Sequence, residues 1–369
     1  MKSNHQGVIA LIIIVVVCII LHLFVPKNMT IDDMEKRCVW VSYSDLQQLD
    51  YHSLESFKES FQKVINTSIN NKCNVLIVHV RAFQDAMYKT NRFPLSTVII
   101  GRKVSFDPLE IMIQLCHQSN IKFEAWINPY RISLNQYTYQ QFISYSPIKK
   151  WISDNKKVIH YGEYQYILNS GSQDVIDYIV NGVEEIVRNY KVDGIHFDDY
   201  FYVENTHQNI SREKRLSNVN RLIKRVYKTI KDIDRDVLFG ISPAGNIENC
   251  ILAGADIYSW LSEDGYVDYL MPQIYWTNQY KNNTPLFTNR LKQWNKLKKN
   301  DVDLYIGLAL YQAGKELEYD QGWSKSHKNI IEQVEILFQY DIKGYALFHY
   351  QNLLEKSGQK EMKHLLDEI

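Results

Sequence analysis

Two adjacent carboxylates, Asp198 and Asp199, follow a short run of β-branched and aromatic residues within Val192–Tyr200 (VDGIHFDDY). Such a run is typical of a buried β-strand, so alternation places His196 and Asp198 on one face and Asp199 on the other. Cleavage of a glycosidic bond needs one carboxylate against the sugar ring, to form an ester or to stabilise a cation, and a second carboxyl group as the acid. The pair is therefore a candidate glycosidase site, with Asp198 in the first role.

Asp199 has more than one interpretation. A change of strand direction after Asp198 would make it the catalytic partner, whereas a side chain that stays turned away would orient neighbouring Arg or His residues. Paired aspartates at a strand end can also cap a helix or form a turn. The catalytic interpretation is favoured because Tyr200, Phe201 and Tyr202 follow as an aromatic cluster with no evident capping role.

The elements that must position this pair alternate between strand-like and helix-like segments. Eight runs have the composition of strands: Cys38–Tyr43, Asn74–Arg81, Lys122–Asn128, Val192–Asp198, Leu238–Pro243, Val267–Tyr275, Leu304–Leu310 and Gly344–Tyr350. Seven amphipathic stretches are candidate helices: Ser53–Asn71, Pro108–Ser119, Ser172–Tyr190, Arg212–Ile233, Ala253–Ser262, Pro285–Lys299 and Ser326–Gln339. This alternation indicates an α/β fold with a parallel sheet, and eight strands favour a single closed (β/α)8 barrel of the TIM type.

Catalytic residues of such barrels lie at the carboxyl ends of the strands and in the loops that follow. Polar and aromatic residues collect at those positions, and we expect them to line a sugar-binding groove. Each one alone is equally well explained as a satisfied polar residue of the barrel core. The candidate substrate-binding residues are His79, Arg81, Asp85, Trp126, Asn128, Tyr130, Arg131, His196, Tyr200, Asn246, Gln273, Tyr275, Trp276 and His349.

The identity of the acid is open at this level. Glu124 shares the parity of Trp126 and would face the barrel interior, where pairing with Arg81 or His79 would make it structural. Other carboxylates lie in the segments after strands two to five, within reach of a site at the strand ends: Asp85, Glu163, Glu204 and Glu248.

Composition narrows the class of protein. The 42 basic residues balance the 42 acidic ones, which gives no electrostatic basis for binding nucleic acid. The five cysteines form no close pair and have no His at metal-ligand spacing, so we expect no metal and no cofactor. Aromatic residues make up 13% of the chain, and many lie in the long segment Ile132–Gly171. They suit stacking on sugars, although biased residue usage or packing over the barrel would explain them equally.

The first residues predict the location of the protein. Val8–Val25 has no charged residue and nearly spans a bilayer as a helix. Lys2 precedes it and acidic residues follow, which places residues 1–7 in the cytoplasm and the body outside. No small residues follow the apolar run, so we expect an uncleaved, single-pass signal anchor over 8–25, a linker over 26–36 and the barrel over 37–369.

Five motifs stand at the predicted strand ends: Val39-Trp40-Val41, His79-Val80-Arg81 with Asp85, Ala125–Arg131 (AWINPYR), Asp193–Tyr200 (DGIHFDDY) and Pro272–Trp276 (PQIYW). Together they resemble the glycosyl-hydrolase-like 10 family of bacterial cell-envelope proteins, which is distantly related to the α-amylase-type barrels. The resemblance covers about Arg37 to Tyr350.

The resemblance implies a cell-wall substrate, the glycan strands of peptidoglycan, including strands stripped of their peptides. It also implies that His196 matches the basic residue that precedes the nucleophile in amylase-type barrels. At the fifth strand, where those barrels have an acidic Glu, this sequence has Ser242, Pro243 and Asn246.

We therefore expect a membrane-anchored glycosidase that acts on a polysaccharide outside the cytoplasm. Two other interpretations stay open at this level. One is an inactive barrel that binds wall polysaccharide and serves as an anchored scaffold. The other is a metal-dependent sugar deacetylase with His79, His196 and His349 as ligands, for which the sequence has no compact ligand motif.

Overall fold

The computed structural model describes residues 30–203, 206 and 209–369. The predicted cytoplasmic segment 1–7 and membrane segment 8–25 lie outside the described residues, and so does Glu204. Within the described part of the chain, no helix combines the length and the apolar character needed to cross a membrane.

Parallel strands form a closed barrel, with a small antiparallel sheet beside it. The strands are β1 (Lys36–Val41), β2 (Val75–Arg81), β3 (Lys122–Ile127), β4 (Arg131–Ser133), β5 (Val158–Gly162), β6 (Gln165–Leu168), β7 (Gly194–Phe197), β8 (Leu238–Ile241), β9 (Tyr269–Leu270), β10 (Asp303–Leu304), β11 (Ile306–Leu308) and β12 (Gly344–Leu347). The main sheet has the order β10, β9, β8, β7, β3, β2, β1, β12, β11, and the small sheet has the order β4, β6, β5.

The barrel closes at one split strand. Only Tyr305 separates β10 from β11, and these two pieces pair with β9 and β12, the strands next to the two ends of the sheet. The Gly307 amide donates to the Pro272 carbonyl at 2.9 Å, which continues the pairing across the split. The sheet is therefore an eight-stranded parallel barrel, and all eight predicted strands are confirmed.

Helices follow the barrel strands, as predicted. They are α1 (Tyr43–Leu46), α2 (Leu54–Asn70), α3 (Pro108–Gln118), α4 (Gln136–Tyr145), α5 (Gln173–Asn189), α6 (Arg212–Ile233), α7 (Ile247–Leu252), α8 (Ile257–Trp260), α9 (Leu286–Leu297), α10 (Gly322–Lys325), α11 (Asn329–Gln339), α12 (Tyr350–Leu354) and α13 (Lys356–Glu368). The predicted helix Ala253–Ser262 is shorter, because Gly254 takes a positive φ of 84° and ends α7 before α8 begins.

Two segments outside the predicted helices and strands are ordered parts of the structure. Ile31 and Met34, within the predicted linker, are buried in the core, so the barrel body begins before Arg37. The long segment Ile132–Gly171 contains α4 and the β4–β6 sheet. Its residues Ile167 and Leu168 are buried in the same core, so the segment packs over the barrel.

A chain of polar side chains fills the barrel interior. Lys36 forms an ion pair with Glu124, and the Tyr269 hydroxyl donates to the same carboxylate. His196 Nδ1 lies 2.7 Å from that hydroxyl, while its Nε2 accepts from the indole of Trp40 at 3.3 Å. Burial, assisted by the Lys36 charge, lowers the pKa of His196 to about 3, so the imidazole is neutral and Nδ1–H donates to Tyr269.

Gly240 makes room for these polar side chains. A Cβ atom at Gly240 would lie 1.9 Å from a ring carbon of Tyr269. Only glycine therefore allows the tyrosine to cross the barrel and reach both Glu124 and His196.

We expect Glu124→Gln to lower the free energy of unfolding by about 3–5 kcal/mol, because it leaves the Lys36 ammonium buried without a counter-charge. The matched control is Glu184→Gln, which removes the surface pair Glu184–Arg188 and should cost about 0.5 kcal/mol or less. Urea denaturation of the full chain measures both values. Equal losses in the two variants would contradict the structural role of the buried pair.

Candidate active site

Asp198 lies directly after β7 and is held by two donors from the neighbouring strand β3 and its end. Its Oδ2 accepts from the Trp126 indole at 3.1 Å and from the Asn128 amide at 2.9 Å. Its Oδ1 is buried and has no hydrogen-bond partner among the residues that the structure describes. Burial raises the pKa of Asp198, and the charge of Arg131 and the two donors oppose that rise. One carboxylate oxygen is thus fixed by two donors, whereas the other has none.

Asp199 turns out of the strand and lines an open cavity of about 270 Å³ at the barrel rim. Burial, together with the like charge of Asp198, raises the pKa of Asp199 to about 7. The change of strand direction that the catalytic interpretation requires is therefore present. The remaining lining residues are Ala244, Gly245, Asn246, Asn249, Gln273, Tyr275, Trp276, Tyr311, Gln312, Leu317, Tyr319 and Asp320.

Gln273 ties the floor of this cavity to the barrel. Its side-chain amide donates to the Ser242 carbonyl at 2.9 Å, and its side chain also hydrogen-bonds to Asp199. The hydroxyl of Ser242 lies 3.0 Å from Nε2 of His196. The polar chain of the barrel interior thus reaches the residues around Asp199. Asn246, the nearby cap of α7, accepts from the Asn249 amide at 3.1 Å.

Arg131 supplies positive charge to both aspartates. Its Nε donates to the Ala82 carbonyl at 3.0 Å, and its guanidinium lies 4.9 Å from the centre of the Tyr200 ring. This charge opposes the rise in the pKa of Asp198 and of Asp199 that burial causes. Arg131 and Tyr200 were both predicted for the site, and the structure brings them to the aspartate pair.

His79 stacks on Trp126, with ring centroids 3.8 Å apart. It is buried, and neither of its ring nitrogens has a partner within the described residues. Burial, together with the charge of Arg131, holds the pKa of His79 well below its usual range. His79 is therefore a neutral ring that braces the indole bonded to Asp198.

The prediction for Arg81 is corrected by a register shift between His79 and Arg81. The shift turns Arg81 away from the barrel interior. Its guanidinium lies 3.5 Å from the centre of the Phe93 ring and donates to Gln84 at 3.0 Å. A Cβ at Gly182 of α5 would lie 2.3 Å from it, so Arg81 packs against a helix and does not face a sugar.

The contacts of three more predicted site residues hold the fold together. Asp85 accepts the backbone amides of Ala82, Phe83 and Thr97, which shapes the loop after β2. Tyr130 is completely buried, with its ring against Phe201. Both nitrogens of His196 are hydrogen-bonded inside the barrel, and His196 does not line the cavity at Asp199. For His196 the sequence could not show this, because strand alternation does not show depth in the barrel. Asp85 and Tyr130 lie in the loops after β2 and β3, where no periodic pattern indicates which way a side chain points.

The eighth strand contributes His349, whose Nδ1 lies 2.8 Å from the Asp45 carboxylate. His349 is partly exposed. The structure does not bring His79, His196 and His349 together, and the described part of the chain has no group of three His, Cys, Asp or Glu side chains that could hold a metal ion. Nothing in this geometry favours the metal-dependent deacetylase.

The other described candidate acids do not line the cavity at Asp199. Glu124 pairs with Lys36, and not with Arg81 or His79. Glu248 is exposed, 3.5 Å from Arg290, and Glu163 lines a separate cleft beside His160. Glu204 falls outside the described residues. Asp199 is the candidate acid that lines the cavity.

Part of the cavity wall was missed from the sequence. Leu317, Tyr319 and Asp320 come from the segment between the 3-10 helix Leu310–Gln312 and α10. The Asp320 carboxylate accepts the Thr277 amide at 2.9 Å, which fixes this segment to the end of the sixth strand. In the sequence, the length of this segment and its aromatic and amide residues were the features that could have indicated a place in the cavity wall.

Comparison with known proteins identifies the family. Residues 35–210 and 203–325 match the family described as Glycosyl hydrolase-like 10. The chain belongs to this family. It is 30% identical to Glycosyl hydrolase YngK of Bacillus subtilis, over 87% of this chain and 69% of the relative. It is 29% identical to Glycosyl hydrolase DigH of Escherichia coli, over 68% of this chain and 65% of the relative. The chain thus spans about two thirds of the length of these relatives.

Solved structures confirm the barrel fold of this glycosyl-hydrolase-like chain. The glycoside hydrolase domain of PgaB (BpsB) from Bordetella bronchiseptica superposes with a TM-score of 0.61 at 10% identity, over 90% of this chain and 98% of that domain. An α-galactosidase from Thermus thermophilus superposes with a TM-score of 0.51 at 11% identity, over 90% of this chain and 62% of that enzyme. At these identities the likeness concerns the fold.

We expect the raised pKa of Asp199 to lower stability as pH rises. The unfolded chain loses this proton near pH 4 and the folded chain near pH 7, so folding is opposed progressively between those values. Asp199→Asn removes this penalty and should be more stable than the wild type by about 1–3 kcal/mol at pH 8, with a smaller difference at pH 4.

Urea denaturation at the two pH values measures the effect, and the exposed Asp301→Asn is the control. A difference between Asp199→Asn and wild type that does not grow with pH would show that Asp199 titrates normally in the folded chain.

Proposed function

We propose that the protein is a glycoside hydrolase that cuts the glycan strands of peptidoglycan, with Asp198 as the nucleophile or cation-stabilising carboxylate and Asp199 as the general acid. The observation that carries the proposal is that two neighbouring carboxyl groups at the carboxyl end of β7 have unlike surroundings. Asp198 has two fixed donors, whereas Asp199 faces Asp198 and the cavity. A glycosidase needs this division between an ionised and a protonated carboxyl group.

The residues fit the steps of the reaction. Trp126, Asn128 and Arg131 stabilise the ionised form of Asp198. In the proposed reaction its charge stabilises the cationic sugar carbon. Asp199 transfers its proton to the glycosidic oxygen as the carbon–oxygen bond breaks. Water then supplies a hydroxyl group to the sugar and returns a proton to Asp199, so the enzyme ends in its starting state.

The cavity suits a carbohydrate. Tyr275, Trp276 and Tyr311 provide ring faces for stacking, and Gln273 and Gln312 provide amides for sugar hydroxyls. The choice of peptidoglycan is supported by the motifs shared with the cell-envelope family, and a membrane-anchored enzyme outside the cytoplasm would meet that polymer.

We also propose that Val8–Val25 anchors the protein in the cell membrane with the barrel outside the cytoplasm. The support is the uncharged apolar run with Lys2 before it. Protease added to intact, wall-free cells should digest the barrel, and complete protection with an intact membrane would contradict this orientation.

We expect the full chain to release new reducing-end oligosaccharides from peptide-free glycan strands, as measured by mass spectrometry. Asp198→Asn and Asp199→Asn should each lower kcat/KM by about 10²–10⁴-fold, because one carboxyl group must be charged and the other must hold a proton. Asp301→Asn, at an exposed position, should keep full activity.

Release of products by Asp198→Asn at the wild-type rate would remove Asp198 from the mechanism. Strands that bind the wild type and are never cut would favour the anchored scaffold instead.

A further inference from the structure

The cavity at Asp199 continues past its outer wall. Tyr319 forms that wall and is 47% exposed. The same side chain lines a second cleft of about 550 Å³, whose other members include the amide side chains Gln279, Asn282, Asn283 and Gln321. One ring therefore separates two adjoining spaces, and a ligand that leaves the first cavity on this side passes directly over it.

The position of Tyr319 is held by three local contacts. Its carbonyl accepts the Lys281 amide at 2.8 Å, and its ring lies 5.8 Å from the ring of Tyr280. The next residue, Asp320, is buried and bonded to Thr277. The ring thus stands on a fixed backbone, although it is exposed, and little ordering is needed when a ligand stacks on it.

The amides of the second cleft also project from a defined turn. Tyr280 and Thr284 exchange backbone hydrogen bonds, and Asn282 and Asn283 between them take φ values of 55° and 59°. Asparagine tolerates this backbone conformation better than most residues, so the turn keeps two amide groups at the cleft. Amides both donate and accept, which matches the hydroxyl and acetamido groups of sugars.

We propose that this second cleft is a further sugar subsite, which binds units of the same glycan beyond those at Asp199, with Tyr319 as the stacking platform between the two spaces. The subsite makes the protein an enzyme for extended glycan chains. This inference rests on the proposed function, because only a polymeric substrate occupies both spaces at once.

The test compares substrates of different length. Peptide-free glycan strands are separated by size, and kcat and KM of the full chain are measured on the shortest oligomer that is cut and on long oligomers. Tyr319→Ala should lower kcat/KM on long oligomers by about tenfold, mainly through KM, which is the size of one lost aromatic stacking contact. The loss on the shortest oligomer should be several times smaller, because that substrate fills only the first cavity, and Tyr319→Phe should restore the long-oligomer activity.

Tyr258→Ala is the matched control, because Tyr258 is 46% exposed on α8 and lines neither space. An equal loss at all lengths would overturn the subsite, since Tyr319 would then serve the first cavity. No loss at any length would overturn it as well.

Failure of the proposed function gives a different pattern. If the wild type cuts no oligomer, calorimetric binding of long and short oligomers replaces kinetics. Binding of long oligomers that weakens about tenfold in Tyr319→Ala would support the subsite without catalysis. Equal binding by both proteins, or no binding by the wild type, would overturn the subsite.

Discussion

The interior of the barrel depends on one buried ion pair. Lys36 enters at the amino end of β1, and Glu124 meets it from β3. Two charges removed from water destabilise the fold by several kcal/mol each unless they are paired and hydrogen-bonded. The side chains around the pair must therefore supply matching hydrogen-bond donors and acceptors. Tyr269 donates to the carboxylate and accepts from His196, which leaves the other imidazole nitrogen to accept from Trp40 and to face Ser242. The tautomer of one histidine is thereby determined by a charge at the far end of the barrel.

That chain ends beneath the aspartate pair, where the protein keeps two carboxyl groups in unlike surroundings. Asp198 has two donors on one oxygen, whereas Asp199 has Asp198 as a like charge beside it. Burial raises the pKa of both carboxyls, and the neighbours decide how far each one moves. A raised pKa on Asp199 opposes folding at neutral pH and provides an acid there. Such a loss of stability is what a site built for proton transfer requires.

The strands and most helices were predictable from the sequence because their hydrophobic spacing is regular and strong. Features that depend on depth or on local irregularity were not. The register shift after His79 reverses the side of the sheet on which Arg81 lies. No residue type in that strand indicates such a shift. His196 and Asp198 share a face, yet one is sealed in the interior and the other is at the rim. Gly254 interrupts a helix that its apolar residues support. The wall around Tyr319 comes from a segment with little periodic structure, so its position could come only from the fold.

The central claim is that Asp199 titrates near neutral pH and holds its proton to a higher pH than Asp198 does. Titration of the side-chain carboxyl carbons by NMR, with ¹³C-labelled aspartate in wild type and in Asp199→Asn, tests it most directly. We expect the wild type to show a carboxyl signal that titrates near pH 7, and we expect Asp199→Asn to lack it. Titration of every aspartate in the wild type below about pH 5, the ordinary range for this side chain, would contradict the assignment of Asp199 as the acid.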